Sequence, residues 1–329
     1  MKDQNRLPYR QQTNLDLLDK IQNGTCQWIK PWEPGMGEAP YNPTSGKSYR
    51  GINSVVLEAA GYEDKRWMTY LQAQSIGCQV KRSPESTRLI EYWPPPKKEE
   101  NKETGEIELV RRKPIYSYVF NGSEILGLPE YKPTEPTWEP NARADDLIQA
   151  SGAIIEYRNG NAAFYSPASD RIVVPEMGQF PQMEHAYATV LHELGHWTSH
   201  PDRCNREIGK AGFGTPDYAR EELAAELTSH FMCRNMALSR PGLDEQHAAY
   251  LRSWLEILEK DPNEIFRAAH KADVATQFLM QFDRYQVHEQ AMIEARKIEP
   301  IERAPEAEQA QQQQRRSRTP EPIAAGAAR

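Results

Sequence analysis

The chain has 329 residues, of which 38% are hydrophobic, 26% charged and 9% aromatic, with a formal net charge of −7. At roughly 100–200 residues per domain this length predicts two domains, and a mean hydropathy of −0.79 excludes a protein built from membrane spans. No run approaches the ~18–20 apolar residues of a transmembrane helix, and Met1 to Arg6 lead into no apolar stretch, so no signal peptide is expected.

Net negative charge argues against a protein that coats nucleic acid along its whole length. The charge is uneven, however: residues 1–135 hold 19 Lys and Arg against 18 Asp and Glu, leaving 21 against 29 beyond them. A basic face on the N-terminal part is compatible with that balance. Cys26, Cys78, Cys204 and Cys233 form no CxxC pair. Reduced thiols packed as small hydrophobes, in a cytoplasmic protein, are expected.

Residues 11–23 read as an amphipathic helix, with Leu15, Leu18 and Ile21 on one face, Asn14 as N-cap and Gly24 as stop. Pro, Gly and Asn make 31–51 mostly loop; helices are expected at 52–60 and 69–75. Strands are expected at 79–81, 88–93 and 116–120, with the proline- and charge-dense segment 94–106 exposed and mobile between them. Three prolines in nine residues mark 132–140 as linker. Beyond it come a helix at 144–150 and short strands at 153–157, 162–165 and 171–174, with Asn159-Gly160 as a hairpin turn. Four or five helices follow from Ala186 almost to Lys297, and the segment from Pro300 has the composition of a disordered tail.

The strongest chemical signal is His192-Glu193-Leu194-Gly195-His196, an HExxH motif. On a helix, residues i and i+4 share a face, so His192 and His196 can reach one metal ion. Glu193 beside them is placed to take a proton from a metal-bound water. The uncharged neighbours Val190, Leu191, Leu194 and Gly195 suit a buried helix that holds the imidazoles rigidly. A catalytic zinc wants a third protein ligand. The next helix, announced by Thr215-Pro216-Asp217, offers Glu222 and Glu226, again at i and i+4. Glu222 is expected as ligand and Glu226 as the carboxylate orienting a ligand histidine, with the reverse order open; Glu221 is expected to be solvated. His200 extends the motif to HExxHxxxH, but Ser199 stands where the metzincin pattern needs Gly, so His200 is read as supporting or surface. His185, His230, His247, His270 and His288 have no spacing argument and default to structural roles.

Gly46-Lys47-Ser48 looks like the end of a Walker A loop, but Tyr41 occupies the position of its first glycine and no strand precedes it. What remains in the N-terminal part is a mixture of aromatics and bases: Trp28, Lys30, Trp32, Tyr41, Lys47, Tyr49, Arg50, Lys65, Arg66, Trp67, Tyr70, Lys81 and Arg82. Such a mixture suits single-stranded nucleic acid, where bases stack on rings and cations track phosphates. By itself the mixture is weak evidence, since aromatics packing a small core explain most such clusters.

The run Pro43-Thr44-Ser45-Gly46-Lys47-Ser48-Tyr49-Arg50-Gly51-Ile52-Asn53, followed by Trp67-Met68-Thr69-Tyr70-Leu71-Gln72-Ala73, resembles the N-terminal domain of ArdC-type antirestriction proteins, which also occurs in plasmid TraC-type primases. The block from His192 to Met232 resembles the zincin-like domain that follows it in that family. The resemblance covers about residues 5–295. It implies a plasmid-encoded protein of the cytoplasm that binds single-stranded DNA, enters a recipient with the conjugating strand and shields incoming DNA from restriction endonucleases.

The expected fold is therefore α+β. A small α+β single-stranded-DNA-binding domain spans 1–135, a linker 136–143, a mostly helical zincin-like metallopeptidase domain with a small β-sheet 144–299, and a disordered tail 300–329. Candidate DNA contacts are Trp28, Lys30, Trp32, Lys47, Tyr49, Arg50, Asn53, Trp67, Tyr70, Lys81 and Arg82. Zn²⁺ is the expected cofactor, with Mn²⁺ or Co²⁺ as alternatives, on His192, His196 and Glu222. A protein substrate such as a restriction-system component is a further expected partner. Two other readings stand beside this one: a DNA-binding protein whose metal is purely structural, and a metallopeptidase whose N-terminal domain recognises protein.

Overall fold

A computed structural model of the chain describes residues 7–25, 38–100, 106–133, 139–206, 215–238 and 248–301. The fold is α+β, with small sheets set among helices. The first helix, α1 (Tyr9–Gln22), starts two residues before the expected boundary and is preceded by Pro8 rather than capped by Asn14. Asn14 instead lies inside the helix, buried, and its Nδ2 donates to the carbonyl of Leu258 at 2.9 Å. Then come α2 (Gly51–Ala59), β1 (Trp67–Met68) and α3 (Tyr70–Ser75), the last opened by a Thr69–Gln72 capping box.

Strands β2 (Gln79–Val80), β3 (Arg88–Tyr92), β4 (Lys97–Glu100), β5 (Ile107–Val110), β6 (Ile115–Asn121) and β7 (Ile125–Leu126) follow. They form an antiparallel sheet of order β1-β6-β3 and two separate pairs, β2-β7 and β4-β5. The β4-β5 pair corrects the expectation of an irregular segment at 94–106. Lys97 to Glu100 ladder onto the β-prone run Ile107 to Val110, and that partner decides the backbone despite the dense charge; residues 101–105 lie outside the described residues.

In the C-terminal part, α4 (Pro140–Ser151) begins with proline in its first turn and Glu139 accepting from the Ala142 amide at 2.6 Å, so the expected linker already ends as a helix start. Residues 134–138 of that linker lie outside the described residues. Strands β8 (Ile154–Arg158), β9 (Phe164–Ser166) and β10 (Arg171–Pro175) then form a sheet of order β8-β10-β9, with β8 parallel to β10. Asn159-Gly160 is therefore not a hairpin turn, because the strands on either side of it do not pair. The hairpin lies between β9 and β10. Among the described residues five helices follow: α5 (Met183–Trp197), α6 (Pro216–Met236), α7 (Ala248–Lys260), α8 (Glu264–Met280) and α9 (Gln286–Arg296).

Two hydrophobic cores meet at α6. One joins Leu17, Leu18 and Ile21 of α1 and Ile52 and Val55 of α2 to Leu223, Leu227 and Phe231 of α6, closed by Trp254 and Phe266. The other packs Ile172 and Val174 of β10 and Leu191 and Leu194 of α5 against Met232 and Met236. Every residue from Glu221 to Arg234 is consequently buried, so each charged side chain on that stretch needs a partner. The first core crosses the expected division at 136–143. So does the end of the described chain, where the amides of Ile298 and Ile301 donate to the carbonyls of Pro43 and Ile76 at 2.8 and 2.9 Å. Of the expected tail, 302–329 lie outside the described residues.

Candidate functional site

Helices α5 and α6 cross closely because Gly195 lies at the contact. A Cβ there would meet Ala225 Cα and Thr228 Cβ at 3.3 Å. This approach brings the faces of two histidines and three glutamates together. His192 Nε2 lies 3.5 Å from one oxygen of Glu222 and His196 Nε2 lies 3.4 Å from the other. One ligand atom from each of the three residues falls within 4.8 Å of the others, the span a single ion can bridge.

The remaining imidazole nitrogens face two other carboxylates. His192 Nδ1 is 3.2 Å from Glu226 and His196 Nδ1 is 3.4 Å from Glu221. Such contacts fix the tautomer that leaves Nε2 available to a metal. Glu221 is thus not solvated, as its charge on an apparently polar helix face suggested. It is 3% exposed and receives Arg206 Nη2 at 2.8 Å. The same Arg206 donates to the Gly195 carbonyl at 2.7 Å and to Thr198 Oγ1 at 2.6 Å, tying the end of α5 to the start of α6.

Electrostatics follow from this enclosure. Burial disfavours charge on His192, but the hydrogen-bonded carboxylates of Glu222 and Glu226 outweigh it and hold the imidazole well above its usual pKa. His196 is likewise opposed by burial yet lifted to about 9 by Glu221 and Glu222. Glu222 is held far below the ordinary carboxylate range by the two imidazoles, against its burial. Glu193 moves the other way: burial pushes its carboxyl up, the two histidines only partly offsetting this, and the backbone amide of Tyr165 on β9 donates to it. Tyr218 and Tyr250 border the same site with their hydroxyls 3.2 Å apart, and burial pushes both phenols up. Nothing in the spacing of the sequence pointed to these two tyrosines. His200 stands apart, its Nδ1 accepting from the Asp202 amide at 3.2 Å.

Among the described residues, the candidate DNA contacts divide between the interior and the surface. Trp28, Lys30 and Trp32 lie outside the described residues. Trp67 is 1% exposed and offers a base no ring face, while the Tyr49 hydroxyl donates to the Trp67 carbonyl at 3.0 Å. Asn53 is used to pin α2 to β3, its Nδ2 donating to the Glu91 carbonyl at 2.7 Å and its Oδ1 accepting from the Glu91 amide at 3.1 Å. These three serve the fold. Arg50 is exposed but forms a two-pronged contact with Asp273 at 3.0 and 2.9 Å. Lys47, Tyr70, Lys81 and Arg82 are at the surface, with Lys81 Nζ resting on the Ser123 carbonyl at 3.0 Å. Exposed Tyr92 at the end of β3, Trp93 just after it, and Tyr116 and Tyr118 on one face of β6 were absent from the candidates. For the two β6 tyrosines the signal was the alternation of 116–120, which puts residues 116 and 118 on one face.

An HExxH helix whose two imidazoles converge on a carboxylate of the next helix defines a zincin-like metallopeptidase domain, and residues 142–271 match that family. Residues 8–120 match the N-terminal domain of the anti-restriction factor ArdC, and the chain belongs to the ArdC-type antirestriction family. It is similar to the crystal structures of the antirestriction protein ArdC of plasmid R388, in metal-free and Mn(II)-bound forms. The TM-score is 0.68 for both, with 32% and 30% identity, over 84% of this chain and 98% and 99% of those chains. Two Escherichia coli proteins named DNA primase TraC are 41% and 40% identical over 90% and 86% of this chain, which spans only 29% and 20% of their lengths. An uncharacterized protein of Sinorhizobium fredii, y4eC, is 32% identical over 78% of this chain and 86% of its own. Among the described residues no helix is long and apolar enough to cross a membrane.

Proposed function

We propose that the chain is an antirestriction protein that binds single-stranded DNA and protects incoming plasmid DNA from restriction endonucleases, acting in the cytoplasm and carrying a metal-dependent peptidase site. The observation that supports the metal site best is the division of the imidazole nitrogens: both Nε2 atoms face Glu222, and both Nδ1 atoms face other carboxylates. Two neutral nitrogens and one carboxylate oxygen, with two orienting carboxylates behind them, are a donor set suited to Zn²⁺, and Mn²⁺ or Co²⁺ can use it as well. In this reading His192, His196 and Glu222 hold the ion, and Glu226 and Glu221 fix the ring orientations. A divalent cation there supplies Lewis acidity and lowers the pKa of water to about 7.

Glu193 acts as the proton carrier. Its raised pKa and its position between the histidine pair and β9 suit a group that accepts a proton from water and returns it to a leaving nitrogen. For DNA, exposed Lys47, Tyr70, Lys81 and Arg82 together with the outward rings of Tyr92, Trp93, Tyr116 and Tyr118 provide cations and stacking faces.

The experiment is a pair of titrations on the full chain. Zn²⁺ titration should show one tight site that His192→Ala or Glu222→Ala abolishes and Glu193→Gln keeps, while Glu193→Gln removes all peptide hydrolysis. A single-stranded oligonucleotide should bind more tightly than duplex, with a salt slope of about −0.7 per phosphate contacted. Zinc binding indifferent to His192 and Glu222 would sink the metal assignment, and equal affinity for both DNA forms would sink the DNA reading.

A further inference from the structure

Between α1 and the β3–β6 pair runs an open groove of about 840 Å³, within the range of ~300–1,000 Å³ that takes a compact ligand. Leu17 of α1 and Val56 and Ala59 of α2 line it from the helical side, and Leu89 of β3 and Tyr118 of β6 from the sheet. Leu89 and Tyr118 are register partners, so their side chains share one face. Tyr118 is 46% exposed. Tyr116 follows on the same face, its ring in edge-on contact with that of Tyr9 at 5.1 Å. Ring faces are thus held open to solvent over an apolar floor.

The two rims of the groove differ in charge. Gln12, Asp16 and Asp19 lie at i, i+4 and i+7 on the face of α1 that turns to the groove, and Gln12 Nε2 donates to Asp16 Oδ1 at 2.8 Å. On the sheet side stands Arg88, its Nη1 resting on the neutral carbonyl of Thr87 at 2.9 Å. At the outer end of the pair, where Tyr92 meets Ile115, exposed Arg111, Arg112 and Lys113 lead into β6, and exposed Lys97 and Lys98 lie on β4. Lys113 precedes Tyr118 by five residues, roughly 17 Å of extended chain.

We infer that this groove holds a single strand of DNA, with bases stacked on Tyr118 and Tyr116 and phosphates running along the sheet rim from Arg88 towards Arg111–Lys113. This placement rests on the DNA reading above and adds to it a location, an orientation and a base preference. A ring stacks on any base, but the α1 rim does not treat the bases alike. A carboxylate accepts hydrogen bonds and donates none, so Asp16 and Asp19 repel phosphates and pair with exocyclic amino groups. Cytosine presents such a group at N4, where thymine carries a carbonyl oxygen. Cytosine runs are therefore preferred to thymine runs. An uncharged peptide could use the apolar floor, but it would leave the cationic rim idle.

The test titrates the full chain with fluorescent oligo(dC) and oligo(dT) of equal length. Wild type should bind oligo(dC) about threefold or more tightly than oligo(dT). Tyr118→Ala should weaken both by about tenfold or more, and Tyr118→Phe, which keeps the stacking ring, should stay within about twofold of wild type. Changing Asp16→Asn and Asp19→Asn together adds donors to that rim and should erase the preference for cytosine. Arg112→Ala and Lys113→Ala should each reduce the salt slope by about 0.7. Zinc affinity should be the same in all these variants. Photocrosslinking of oligonucleotides carrying 5-iododeoxycytidine, mapped by peptide mass, should mark Tyr116 or Tyr118 in the wild-type chain without any substitution. Oligonucleotide binding unchanged in Tyr118→Ala, or crosslinks confined to other segments, would put the strand on another face and leave the groove to a peptide or a second copy of the chain. Either result overturns this placement and leaves the DNA reading standing. Equal affinity for oligo(dC) and oligo(dT) overturns the orientation of the bases towards α1. A wild type that binds neither oligonucleotide overturns the DNA reading, and the placement with it.

Discussion

His196 Nδ1 stands 3.4 Å from Glu221, a carboxylate that is also gripped by Arg206 at 2.8 Å. With Glu226 at His192 Nδ1, each histidine of the motif has its own carboxylate behind it. Such partners typically matter by 10–100-fold in metal affinity. Glu221→Gln and Glu226→Gln should each weaken Zn²⁺ binding by roughly that factor without abolishing it, as read by chelator competition. Arg206→Ala should weaken it too, because it leaves Glu221 buried without its cation. Unchanged affinity in all three variants would show that the histidines orient themselves.

The metal-free site holds protons that an ion must displace. Burial opposes charge on both imidazoles, yet the carboxylates lift His196 to about 9 and His192 well above its usual range, so both are protonated at neutral pH in the metal-free chain. Metal uptake at pH 7 should therefore release protons, and apparent affinity should rise as the pH is raised from 7 towards 9. Calorimetry in buffers of different ionisation enthalpy counts the protons. Uptake at pH 7 with no proton release contradicts the expectation.

Part of this site was legible in the sequence because its spacing is local. HExxH and the Glu222/Glu226 pair each lie within one helix, where i and i+4 determine the shared face. Glu221 was misread because its burial depends on two cores packing on opposite sides of α6, which no periodicity within that helix reveals. The same limit applies to Trp67, Tyr49 and Asn53. A mixture of rings and cations does not say which ring goes inside, and here Leu57 and Val119 pack with Trp67. The β4-β5 pair was hidden by composition, since Lys97 to Glu100 is strand only by virtue of its partner.

Gly195 offers a steric test of the helix crossing. An added methyl would sit 3.3 Å from Ala225 Cα, a backbone atom that can give only if α6 moves with it. Gly195→Ala should cost about 1–3 kcal/mol in denaturant unfolding, as overpacked contacts do. It should also weaken zinc binding, because a shift of α6 carries Glu222 and Glu226 away from the imidazoles. A variant as stable and as tight for zinc as wild type would mean that the crossing relaxes without cost.

Glu58 of α2 makes the corresponding electrostatic link between the N-terminal part and α6. Its buried carboxylate accepts from His230 Nε2 at 2.9 Å and from the Arg234 guanidinium, which also donates to Ser54 Oγ at 2.9 Å. Burial alone would raise the pKa of Glu58, but Arg234 and His230 outweigh it and lower it from 4.5 to about 2. Because the folded value is depressed, the stabilisation is fully present above pH 4.5 and disappears as pH falls towards 2. Glu58→Gln leaves Arg234 buried without its counter-charge and should cost about 3–5 kcal/mol at pH 7. Urea unfolding of the two proteins should show that difference constant from pH 7 to about 5 and shrinking between 4.5 and 2. A difference that stayed the same down to pH 2 would mean that the substitution acts through packing, and that the charge on Glu58 contributes nothing to holding α2 against α6.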